Sequence, residues 1–187
     1  MQKRHSGHWN FRCLLVAAII SVALMSPPSL VSARADLGAA ANSVPSASLV
    51  GKGRLTFLGF KIFDAELYAP DGTYSPTQPF ALKLTYLRNF KGSAIAKRSA
   101  DEMRKIGASE GQLAIWSRQM ETIFPNVSAG QSITGVRTSS GNAAFYLGNR
   151  KIGTISDAAF TKHFFSIWLG NRTGNPELRA ELVGAGL

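Results

Sequence analysis

Cysteine and histidine are almost missing from this chain: its 187 residues hold one cysteine, Cys13, and three histidines, His5, His8 and His163. All of these except His163 fall in a stretch that reads as a secretory leader. Lys3, Arg4 and Arg12 give it a basic start, Cys13 to Met25 (CLLVAAIISVALM) an apolar run, and Ala33-Arg34-Ala35 a small-residue cleavage site. The run falls short of the roughly 20 residues that span a bilayer, and Ser26-Pro27-Pro28 ends it. Cleavage after Ala35 leaves 152 of the 187 residues, with no thiol and one histidine. That excludes a disulfide framework, a cysteine nucleophile and a cysteine- or histidine-rich metal site, so no metal or other cofactor is expected. A single domain of this size without covalent staples must be held by its core. The leader implies a periplasmic or secreted location.

Acidic residues are also scarce, 11 against 21 lysines and arginines, for a formal charge of +10. Loss of Lys3, Arg4, Arg12 and Arg34 with the leader lowers this to +6. The remaining cations are scattered. The densest group, Lys97, Arg98, Arg104 and Lys105, lacks interleaved aromatics and reads as a solvated helix face, so no nucleic-acid partner is expected. The surplus suits an acidic small ligand or weak contact with an anionic membrane surface. Oligomeric state stays open.

What is present is alternating hydrophobicity. Residues 36–48 (DLGAAANSVPSAS) are small, rich in alanine and serine and nearly uncharged, and read as a flexible lead-in, with the domain proper over 49–187. Leu55 to Tyr68 (LTFLGFKIFDAELY) reads as one long central strand: Leu55, Phe57, Phe63, Ala65 and Leu67 share one face, with a bend or bulge expected at Gly59. Phe80 to Arg88 alternates more cleanly and is expected to pair antiparallel with it. A helix capped by Ser93 is expected over 94–106. Ser109 and Gln112 form a capping box for a second helix carrying Leu113, Trp116 and Met120. Residues 131–138, 142–147 and 151–155 read as a three-stranded meander. Ser156 or Asp157 then caps a helix rich in Phe and Trp, and Asn175-Pro176 opens a last one anchored by Leu178 and Leu182.

Three segments in this order, GFKIFDAELYAP, IFPNVSAGQ and FFSIWLG followed by NPELRAELVG, resemble the chalcone isomerase-like superfamily, in particular its secreted bacterial branch. The resemblance covers roughly residues 49–184. It implies an α+β fold: an open-faced β-sandwich of chalcone isomerase type, an antiparallel sheet with helices packed on one face and a cleft between them. It also implies where an isomerase would keep its cation and hydroxyl donors. At those positions this chain places Arg54 or Leu55 for the arginine, Ile95 for the tyrosine and Glu102 for the asparagine, while Asn175 stays polar. The catalytic set is not assembled, since an oxyanion needs donors that isoleucine and glutamate do not supply. The expected function is therefore non-catalytic binding of an apolar acid such as a fatty acid. Arg54 and Tyr68 are the expected ligand-binding residues, and only a bend in the strand would bring them together. Two alternatives stand beside it, an intramolecular lyase acting on a chalcone-like enone and a structural or partner-binding envelope protein. His163, Asp157 and a serine do not amount to a triad, because a lone histidine on an aromatic helix is more often packed.

Overall fold

The computed structural model describes residues 36–184. The leader read over residues 1–35 lies outside the described residues, as do 185–187. Six antiparallel strands form one sheet in sequence order: β1 (Ala47–Phe57), β2 (Phe60–Pro70), β3 (Phe80–Tyr86), β4 (Ser132–Arg137), β5 (Ala143–Leu147) and β6 (Arg150–Ile155). Four helices, α1 (Gly92–Lys105), α2 (Glu110–Ile123), α3 (Ala158–Leu169) and α4 (Pro176–Val183), pack on one face. The sheet stays open, giving the α+β architecture expected from the sequence.

The stretch 55–68 is two strands, not one. The chain reverses at Leu58 and Gly59, whose φ angles of +49° and +78° suit a two-residue hairpin turn. Phe57 pairs with Phe60, Thr56 with Lys61, and Leu55 with Phe63, so Ile62 is an extra residue in a bulge. The turn shifts the alternation by one residue and the bulge shifts it back. Phe63, Ala65 and Leu67 therefore face the helices, as Leu55 does, and the apolar pattern runs unbroken through the reversal.

β1 accepts α4 at close range because it carries glycine there. A Cβ on Gly51 would lie 2.2 Å from the Glu181 carbonyl oxygen, and one on Gly53 would lie 2.8 Å from the Leu178 side chain. Gly92 opens α1 for a similar reason, its backbone lying against the Phe124 carbonyl. Ser93 does not cap that helix; the Gly92 N–H donates instead to Asn126 Oδ1 at 3.0 Å. The Ser109–Gln112 capping box forms as expected, and Asp157 caps α3 by accepting from the N–H groups of Ala159 and Phe160.

The segment over residues 36–48 is not a loose lead-in. Gly38–Ser43 forms a 3-10 helix on the face of the sheet away from α1–α4, and Leu37, Ala40 and Val44 are at most 2% exposed. They bury Tyr68, Ala81, Val136, Ala144 and Tyr146 in a second, smaller core. These three apolar residues suffice because the sheet supplies the large side chains Tyr68 and Tyr146.

Candidate functional site: an apolar cavity beneath the helices

A cavity of about 250 Å³ lies between the sheet and helices α1 and α3. Strand residues Leu55, Phe57, Ile62, Phe63, Leu82, Leu84 and Ile133 form its floor, and Ile95, Phe164, Phe165 and Trp168 its roof. The bulge has a direct consequence here, because it turns both Ile62 and its neighbour Phe63 toward the same space. Gly135 leaves room for Phe165, since a Cβ at that position would stand 3.1 Å from the Phe165 ring. Edge-to-face pairs of Phe164 with Phe165 and Trp168, at 5.4 and 5.3 Å between centroids, stiffen the roof.

Four polar side chains interrupt this lining: Tyr86, Arg98, Ser99 and Asn175. Ser99 is already engaged, donating to the Ile95 carbonyl at 2.9 Å. Arg98 pairs with Glu102 at 2.7 Å and holds its guanidinium 5.9 Å from the Phe57 ring. Glu102 itself is buried behind the lining, shared between Arg98 and Lys105. Asn175 opens α4 without a side-chain capping bond. Tyr86 is buried, and burial pushes its phenol well above its ordinary pKa, so it acts only as a neutral hydroxyl. The space thus has apolar walls and one cation, Arg98.

The two residues expected to bind ligand are elsewhere. Arg54 is the cross-strand partner of Asp64 and forms a two-point ion pair with it, Nη2 to Oδ2 at 2.9 Å. Gly53 faces α4, so Arg54, the next residue, points to the opposite side of the sheet. The hydrogen bond from Arg54 holds the Asp64 carboxyl below its usual range. Tyr68 lies under the N-terminal segment, its hydroxyl 3.3 Å from Glu66, and burial with Glu66 and Asp36 nearby raises its pKa. Tyr68 is four residues beyond Asp64 on β2, about 13 Å along the strand, so the fold does not bring the pair together. Neither lines the cavity. Glu66 pairs with Lys83 at 3.0 Å on this same outer face.

Leu55 and Ile95, by contrast, both line the cavity, so the positions compared with the superfamily's arginine and tyrosine are at the cavity but carry no donor. Glu102 stands behind it. In sequence Arg98 stands among the solvated cations Lys97, Arg104 and Lys105. Its spacing carried a signal: three residues after Ile95 and next to Ser99, it borders the buried stripe of α1, where a long side chain folds over the rim. His163 packs on Trp116 at 5.3 Å and bonds the Ala159 carbonyl, while Asp157 accepts from Trp116 Nε1 at 2.9 Å. Those contacts tie α2 to α3. Among the described residues no group of three or more His, Cys, Asp or Glu stands close enough to hold a metal ion.

The chalcone isomerase-like family matches residues 46–184, and this chain belongs to it. A comparison with curated proteins finds no match. Among solved structures, the fatty-acid-binding protein of Arabidopsis thaliana is similar in fold, with a TM-score of 0.57 at 11% identity. The similarity covers 74% of this chain and 87% of that one.

Proposed function

We propose that this protein binds an apolar ligand with an acidic head, such as a fatty acid, in the cavity beneath α1 and α3, and does not transform it. The observation that carries this reading is the lining itself: apolar walls with a single cation, Arg98, and the neutral donors Tyr86 and Asn175. Apolar pockets with a few polar groups that fix orientation are the usual form of small-molecule sites. The Arabidopsis protein named for fatty-acid binding shares the fold at low identity, which supports the ligand class by analogy alone. Leu55 and Ile95 cannot stabilise an oxyanion, which favours binding over the isomerase alternative.

The same reading takes the protein as exported, on the basic leader, short apolar run and Ala33-Arg34-Ala35 site. Native mass spectrometry of protein from its own host tests both points. The expected result is a polypeptide mass beginning at Asp36, carrying an apolar acid that is lost on denaturation. A polypeptide retaining Met1 would remove the export reading, and a protein with no such acid bound or taken up on addition would remove the binding one.

A further inference from the structure

The tip of the β1–β2 hairpin exposes three large apolar side chains, with Phe57 at 55%, Leu58 at 80% and Phe60 at 56%. The backbone does not call for them. Leu58 occupies a left-handed conformation, φ +49°, where asparagine, aspartate or glycine is favoured in a two-residue hairpin. Chain stability alone would select a polar residue at so exposed a position.

Cations surround the base of this tip. The Arg88 guanidinium lies 4.7 Å from the Phe60 ring centre, Arg98 lies 5.9 Å from that of Phe57, and exposed Lys61 follows Phe60 directly. The nearby carboxylates are engaged: Asp64 pairs with Arg54, though Lys61 also acts on it at longer range, and Glu102 is shared by Arg98 and Lys105. Among the described residues, Arg88 and Lys61 enter no ion pair. An apolar wedge with a cationic collar matches the interfacial layer of an anionic membrane, where apolar side chains enter the acyl boundary and arginine and lysine meet phosphates.

We propose that this hairpin tip docks the protein on an anionic lipid surface, with Leu58 deepest, Phe57 and Phe60 beside it, and Arg88, Lys61 and Arg98 at the phosphates. Phe57 also lines the cavity, so docking sets the cavity wall against the lipid from which an apolar acid would come. That purpose rests on the function proposed above; the docking itself does not. No helix among the described residues is long and apolar enough to cross a membrane, so the attachment is peripheral.

Flotation of the purified protein with vesicles tests the proposal, using phosphatidylcholine alone or mixed with about one-third phosphatidylglycerol. Wild type and Leu58→Asp carry the same N terminus, so any lipid affinity of that end is common to both. The expected result is flotation with the anionic vesicles, weakened about tenfold or more by Leu58→Asp or by Arg88→Glu and suppressed by salt. In a Leu58→Trp variant, acyl chains brominated near the headgroup should quench the added fluorescence. Unchanged melting curves check that the variants fold. Equal flotation of wild type and Leu58→Asp overturns the proposal, as does no flotation of either. Self-association abolished by Leu58→Asp, without flotation, also overturns it and makes the tip a contact between copies. Fatty-acid titration without vesicles should be unaffected by Leu58→Asp, so loss of docking and loss of the cavity's ligand are told apart.

Discussion

Arg54 and Arg98 carry the same charge into opposite situations. Arg54 is satisfied by Asp64 on an exposed sheet face, where solvent screening leaves such a pair little net effect on stability. Arg98 reaches over the rim of an apolar cavity with only part of its guanidinium used by Glu102. A ligand carboxylate at that point would gain a charge-assisted bond of about 1.5–3 kcal/mol. Arg98→Ala should thus weaken fatty-acid binding roughly 10- to 150-fold, while Arg54→Ala should leave it within about twofold. Isothermal titration of the two variants checks this. Loss of affinity with Arg54→Ala alone would return the anchor to the outer face of the sheet.

At the scale of elements, the junction of α2 and α3 depends on one carboxylate. Asp157 caps α3 and accepts from the Trp116 indole, a side chain that is 1% exposed. Asp157→Ala should cost about 2–4 kcal/mol, combining a lost cap with a buried unpaired N–H. Backbone donation from Phe160, with Trp116 and Ala159, holds the Asp157 carboxyl below its ordinary pKa against the opposing effect of burial. A depressed carboxylate pKa means that its stabilisation is complete above the unfolded value, near 4, and is lost as pH falls through the folded value. Chemical denaturation at several pH values should show this acid-sensitive part missing in Asp157→Ala. An equal acid slope in both proteins would place the effect on other carboxylates.

The legibility of the elements follows from the same local physics. The capping box at Ser109, the meander and the aromatic helix were readable because each is encoded within a few residues. The hairpin at Leu58-Gly59 was not, because turn and bulge compensate and leave the alternation unbroken. The leucine in the turn also hid it, since asparagine or aspartate before glycine is the usual signal. The packing of residues 36–48 was hidden too: Leu37, Ala40 and Val44 look like a tail until Tyr68 and Tyr146 on the sheet give them something to cover. Arg98 is masked by its charged neighbours, whereas Asn175 stands out by preceding a proline at a helix start.

The whole molecule is an open sheet with two unequal covers. The segment 36–48 packs Tyr68 and its neighbours into a second core, while α1 and α3 roof a cavity that Leu55, Phe57 and Ile62 wall at the hairpin end. Chalcone isomerase-like membership accounts for the architecture, and the function proposed above takes the cavity as a place that holds a ligand. The central claim is that the cavity takes an apolar chain by its acid end. Titrating delipidated protein calorimetrically with a long-chain fatty acid, and then with the primary alcohol of equal length, tests it most directly. The account predicts saturable one-to-one binding of the acid and at least about tenfold weaker binding of the alcohol, the difference that one charge-assisted bond makes. Equal affinity for acid and alcohol, or saturable binding of neither, would contradict it.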